Sequence, residues 1–255
     1  MNIFSSIPQS CINFGFYKEV VKQKIGKAIL YLFLLLLIVA LVMAISYGVK
    51  IQKMVNEGKE LALKYVPEIK IINGQTEVSV PQPYTVWKDE NFIVLIDTTG
   101  QYTSIDTAYK AGALLTRTKL IVKESEFQSR QYELSQFPPF TVNKTTIEQW
   151  AKIAVVVIWI GLPIGLFIYL IVAKWFQIFL FSIFTMSLNN MMKTNLKYSQ
   201  LLSIGIYALT APIILDTIYA ITGRPNPIFI WLYIGIYAIY LVMAIKSQKP
   251  QNSIP

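Results

Sequence analysis

The chain has 255 residues, 54% of them hydrophobic and only 15% charged; soluble domains carry roughly 25% charged residues, so much of this chain must face something other than water. The net charge of +9 suggests a nucleic-acid partner only until it is mapped: residues 50–152 hold 13 Lys/Arg against 12 Asp/Glu, and the ten remaining basic residues, with only Glu19 and Asp216 for acids, flank apolar runs. There is no histidine and one cysteine, Cys11, which removes the commonest general base and metal ligand and leaves no internal disulfide.

Residues 1–27 read as a polar to mildly amphipathic cytoplasmic segment that ends in Lys18, Lys22, Lys24 and Lys27. Ala28–Tyr47 is uncharged for twenty residues, about 30 Å of helix and the thickness of a bilayer core, which predicts a first transmembrane helix over 28–49. The run exceeds the roughly 7–15 apolar residues of a signal peptide, so it is read as a retained anchor. Beyond Lys50, Ile51, Met54, Val55, Gly58, Leu61, Ala62 and Tyr65 share one helical face; the helix is expected to continue until Pro67 stops it.

Residues 50–145 form an expected extracytoplasmic α+β domain with an antiparallel sheet. Glu68–Ile72 and Thr76–Val80 flank Asn73-Gly74, a hairpin signal because both residues tolerate positive φ. Tyr84–Trp87, Phe92–Ile96, Ala113–Val122 and Gln131–Leu134 are further predicted strands, and Ser104–Lys110 a short helix closed by Gly112. Thr145-Thr146-Ile147-Glu148 reads as a capping box opening the next helix.

Residues 146–246 read as a bundle of further transmembrane helices, and 247–255 as a tail. Ile153–Ala173, Leu201–Thr222 and Ile228–Ile245 are predicted spans, the last two joined by the tight turn Gly223–Pro227. Trp175–Leu188 is a mostly apolar, uncharged run of fourteen residues, short for a span and suited to an interfacial or re-entrant segment. Without it there are four transmembrane helices and every lysine of the apolar regions lies inside, as the positive-inside rule prefers; with it there are five. Lysines beside the spans also predict attraction to anionic lipid headgroups.

No phosphate loop, nucleophile elbow or metal-ligand cluster is present, so neither an enzyme nor a cofactor is expected. Asp97-Thr98-Thr99-Gly100 superficially resembles the aspartic-protease signature, but it carries an extra residue and has no twin; a strand-ending turn is the better reading. Asp216 lies inside an apolar segment, where a carboxylate costs a few kcal/mol. Its candidate partners are Lys174 in the five-helix layout and Arg224 in the four-helix one. Pro163 with Gly161 and Gly165, and Pro212, predict kinks. In the outer domain Tyr84, Trp87 and Tyr102 are the candidate contact residues.

Several segments together resemble a known family. They are Lys24–Tyr31, Phe92–Gly100, Tyr109–Gly112, Tyr198–Leu202 and Tyr207–Pro212. The chain resembles, over essentially its whole length, an uncharacterised family of mostly Gram-positive bacterial membrane proteins, some labelled maltodextrin-utilisation proteins; its last segment is distantly similar to Yip-type multispan proteins. The resemblance implies a plasma-membrane bundle without catalytic residues. The resulting expectation is a non-enzymatic accessory or sensor protein whose outer domain binds a ligand or partner, associated with the transporter subunits of a carbohydrate uptake system. The alternative is a small transporter or channel using Asp216.

Overall fold

The computed structural model describes residues 3–223 and 228–249. The chain divides into two compact units, residues 1–50 with 158–255 and residues 51–157.

The first unit is helical. Its elements are α1 (Ile3–Ile12), a 3-10 turn (Phe14–Phe16), α2 (Tyr17–Val20), the parts of α3 (Ile25–Tyr65) and α4 (Lys144–Met192) that fall in it, α5 (Tyr198–Ala208), α6 (Thr210–Thr222) and α7 (Ile228–Lys246). Taking α5 and α6 as one, four helices among the described residues are long and apolar enough to cross a membrane. The α5–α6 helix is the most enclosed of them: every residue from Ser203 to Ile213 is buried. Tyr31, Leu32 and Leu36 of α3, Ile178 of α4, and Tyr237 and Leu241 of α7 close round it in a single apolar cluster.

Three segments of this unit take definite form. The mildly amphipathic N-terminal segment folds from Ile3 into short helices, and Phe16, Tyr17 and Val20 are buried in that same cluster. Tyr17 Oη donates to the Ser10 carbonyl at 2.9 Å, and Tyr240 Oη of α7 donates to the Cys11 carbonyl at 2.7 Å. Helices this short do not stand alone in water, so only these tertiary bonds hold them. Trp175–Leu188 is not a separate helix: α4 runs unbroken for 49 residues through it and through Pro163. A fifth crossing needs a chain reversal near Lys174, and there is none. Leu201–Thr222 is interrupted at Leu209, as the kink predicted at Pro212 requires, because Pro212 has no N–H to donate to the Ala208 carbonyl. The predicted turn Gly223–Pro227 lies outside the described residues after Gly223.

The second unit carries two sheets rather than one. A three-stranded sheet has the order β2 (Gln75–Val78), β1 (Ile69–Ile72), β8 (Phe140–Val142); a five-stranded sheet runs β3 (Tyr84–Lys88), β4 (Phe92–Asp97), β5 (Ala111–Thr116), β6 (Lys119–Ser125), β7 (Gln128–Glu133). Helix α3 ends at Tyr65, ahead of Pro67, and Asn73 and Gly74 turn the β1–β2 hairpin with φ of 51° and 73°.

Four details correct the sequence reading of this unit. Strands β4 and β5 pair in parallel, not antiparallel, because the Lys110 and Ala111 amides both bond the Asn91 carbonyl and set the start of β5 beside the start of β4. Gly112 makes that pairing possible: a Cβ there would sit 2.4 Å from the Ile93 carbonyl oxygen. Residues 104–110 contain no helix; Asp106 Oδ1 takes the Ala108 amide in a local turn, and side-chain-to-backbone bonds of this kind compete with helix. The Ala113–Val122 run is a hairpin, turned at Arg117-Thr118, where Thr116 Oγ1 bonds both the amide and the carbonyl of Lys119. Lastly, the cap of α4 is Asn143, whose Oδ1 accepts the Thr146 amide at 2.9 Å, rather than a box begun at Thr145.

Candidate functional site

Each unit holds one polar arrangement that the fold has to explain. In the second unit it is a cavity of about 460 Å³ at the carboxyl ends of the parallel pair, where Asp97 of β4 stands opposite Thr116 of β5. One wall is the chain leaving β4. Asp97 is fully buried, and its carboxylate is used internally: Oδ1 accepts the amide and hydroxyl of Thr99, and Oδ2 accepts the Tyr102 amide. Burial pushes the Asp97 pKa up, but these bonds outweigh it and hold the carboxyl below its ordinary range. Gly100, at φ +89°, completes the turn. The Thr98 amide is taken by Gln82 Oε1. The segment that superficially resembles a protease signature is therefore a strand-ending turn, with no free carboxylate oxygen for acid–base work.

The opposite wall is the β5–β6 turn. Its backbone is tied down from outside, since the Arg117 carbonyl accepts the Thr76 amide and the Thr118 carbonyl accepts the Leu134 amide, each at 2.8 Å. Lys119 pairs with Glu133 at 3.0 Å. Of the three outer aromatics picked from the sequence, only Tyr102 lines the cavity. Tyr84 packs against the Ile69–Ile71–Ile96 core with its hydroxyl donated to the Tyr65 carbonyl, and Trp87 stands edge-on to Tyr65. The structure thus does not bring the three together. Arg117 and Thr118, which do line the cavity, were hidden because the β-rich run Ala113–Val122 masked its own turn; Gln131, which lines it too, belongs to the predicted strand Gln131–Leu134. The Thr-X-Thr spacing at 116–118 was the available signal.

In the first unit two of the charged candidates, Lys174 and Asp216, do meet. Lys174 Nζ of α4 lies 3.7 Å from Asp216 Oδ2 of α6 and donates to Tyr233 Oη of α7 at 3.0 Å; Tyr233 Oη in turn donates to Gln177 Oε1 at 2.9 Å. The ammonium also lies 4.7 Å from the centre of the Tyr233 ring, a cation–π distance. Lys174 is buried, whereas the Asp216 side chain is 46% exposed. The pairing attached to a five-helix layout therefore occurs with four. The reason lies in register: Lys174 and Asp216 stand about equally far from the reversal at Lys193–Asn195, so antiparallel helices place them side by side. Arg224, the other candidate partner, lies outside the described residues. Gln177 and Tyr233 carry no sequence signal, because an isolated Gln or Tyr in an apolar helix is unremarkable. Among the described residues, no group of three or more His, Cys, Asp or Glu side chains could hold a metal ion.

What these features define is a mostly helical protein with four long apolar helices and a small sheet-bearing unit. The chain belongs to the family described as Protein of unknown function (DUF1189), whose model matches residues 4–245. No curated protein and no solved structure matches it. The segments that carry the resemblance have structural work: Gly112 permits the parallel pairing, Asp97 and Gly100 form the turn, and Tyr207 stacks on Tyr31 at 4.3 Å.

Proposed function

We propose that this chain is a non-enzymatic protein of the cell membrane, crossing it four times with its N-terminus in the cytoplasm. Residues 50–145 lie outside, where they bind a ligand or partner, and the helical unit associates with a membrane complex, a carbohydrate (maltodextrin) importer being the first to test. The observation that carries this reading is the cavity at the ends of β4 and β5, whose walls are held by internal bonds while most of its side-chain hydrogen-bonding groups are left free. Preorganised walls of that kind lower the ordering cost of binding. The orientation is supported by charge. Exposed Lys18, Lys22, Lys24, Lys27, Lys193, Lys197, Lys246 and Lys249 gather where α2 meets α5 through Gln200 and Val21, and where α7 meets α1 through Tyr240 and Cys11. The one acid beside them, Glu19, is already paired with Lys22. Such an end belongs on the cytoplasmic side and against anionic headgroups.

Crosslinking in native membranes, followed by affinity purification and mass spectrometry, tests the association. Transporter subunits are the expected co-purifying species; recovery of the chain alone would overturn the accessory role.

The Lys174–Asp216–Tyr233 cluster favours a second reading, a small transporter or channel in which Asp216 is the working carboxylate. Asp216→Asn should then abolish an ion or substrate flux in proteoliposomes while the protein remains folded. An unchanged flux, or none in the parent protein, removes this reading.

A further inference from the structure

Within the cavity of the second unit, six side chains have no hydrogen bond or ion pair among the described residues: Thr98, Tyr102, Thr103, Arg117, Thr118 and Gln131. The other polar groups there are taken. Asp97 is closed onto its own turn, Thr99 onto Asp97, Thr116 onto Lys119, and the Lys119 ammonium onto Glu133. The free set is therefore three aliphatic hydroxyls, a phenol, an amide and one guanidinium, with no free carboxylate facing them. Each group implies a kind of ligand atom. A guanidinium without an acid presents a fork of parallel N–H donors that matches the two oxygens of a carboxylate or phosphate. Hydroxyls and an amide, able both to donate and to accept, match the hydroxyls of a polyol, and the Tyr102 ring offers a flat face to a sugar-like ring. The volume, about 460 Å³, lies in the range of small-molecule sites.

We infer that this cavity binds a small polyhydroxylated compound bearing one anionic group, a phosphorylated or carboxylated sugar, with Arg117 holding the anion and Thr98, Thr103, Thr118 and Gln131 the hydroxyls. The inference rests on the reading that the outer unit binds a ligand, and it gives that ligand a chemistry. It also separates this ligand from a neutral maltodextrin, which offers nothing for the guanidinium.

Isothermal titration of the full-length protein in detergent tests the assignment with four probes: glucose 6-phosphate, glucuronate, glucose and inorganic phosphate. One of the two anionic sugars should bind at least about tenfold more tightly than either glucose or inorganic phosphate, a difference of roughly 1.4 kcal/mol. Arg117→Gln should erase that margin. Arg117→Lys should keep only part of it, because a lysine restores the charge but not the fork. Arg117 is exposed, so neither variant endangers folding, and an unchanged thermal unfolding curve verifies this. Glucose binding as tightly as its phosphate, or Arg117→Gln leaving affinity unchanged, overturns the anionic class while the outer unit still counts as a binding unit. Inorganic phosphate binding as tightly as glucose 6-phosphate overturns the role of the hydroxyls. Silence from all four probes overturns the assignment, and the crosslinking experiment then decides separately whether the accessory reading survives.

Discussion

The two units solve the problem of polar groups in opposite ways. In the helical unit the decisive bonds join distant parts of the chain: Tyr31 with Thr210, Tyr237 with the Gly205 carbonyl, Tyr240 with the Cys11 carbonyl, and Lys174 with Asp216 and Tyr233. In the sheet unit most of them close over two to five residues: Asp89 onto Asn91 and Phe92, Asp97 onto Thr99 and Tyr102, Thr116 onto Lys119, Asn143 onto Thr146. The apolar cores follow the same division. One continuous cluster fills the helical unit, while the sheet unit has two small ones, built on Ile69–Ile71–Ile96–Leu134 and on Leu95–Leu114–Ile121. Helices satisfy their own backbone, so what remains to be fixed is how they meet, and buried tyrosine hydroxyls do that. A small sheet unit with little core depends instead on turns that hold themselves.

If that contrast is right, the largest single effect should come from backbone approach in the sheet unit. Gly112→Val places atoms where the Ile93 carbonyl already is and should cost about 4 kcal/mol, enough to abolish folding of that unit. Limited proteolysis should show residues 51–157 cut while the helical unit stays intact.

Next comes the turn. Asp97→Ala leaves the Thr99 and Tyr102 amides without their acceptor and should cost about 3 kcal/mol. The same carboxylate sets a pH dependence. Its folded-state pKa lies below its unfolded value, so its stabilisation is fully present above the ordinary carboxylate range and is lost as pH falls through the lower folded pKa. Tryptophan-monitored unfolding from pH 7 down to pH 3 should show this loss in the parent protein, with a shallower slope in Asp97→Asn.

The ion pair of the helical unit should respond asymmetrically. Asp216→Asn leaves the buried Lys174 ammonium its bond to Tyr233 and should cost about 2 kcal/mol, whereas Lys174→Met leaves an unpaired carboxylate on an apolar helix and should cost about 3 kcal/mol. Equal costs, measured by unfolding in mixed detergent, would mean that the apolar surroundings of Asp216 are not what the pair compensates.

The smallest effect tests whether long-range tyrosine bonds really organise the helices. A double-mutant cycle of Tyr31→Phe and Thr210→Val should return a coupling of about 1 kcal/mol. A coupling near zero would shift the credit to the stacking of Tyr31 on Tyr207.

The division between local and distant bonds also explains what could be read in advance. The β1–β2 hairpin at Asn73-Gly74, the end of α3 before Pro67, the turn after Asp97 and the long apolar helices all follow from neighbours along the chain. The parallel β4–β5 pair, the burial of Phe16 and Tyr17, the continuity of α4 past Lys174 and the meeting of Lys174 with Tyr233 do not. Of the cavity residues, Tyr102 is among the contact candidates read from the sequence and Arg117 is not, because Ala113–Val122 reads as one β-rich run that conceals the turn held by Thr116.

By itself, then, the order of residues determined where helices and tight turns form and how much of the chain avoids water, since period, propensity and turn chemistry act over a few positions. Only the tertiary structure decided which charges share a site and which threonines surround Arg117. Those outcomes depend on helix register and strand pairing across tens of residues, where a shift of one residue turns a side chain to another face.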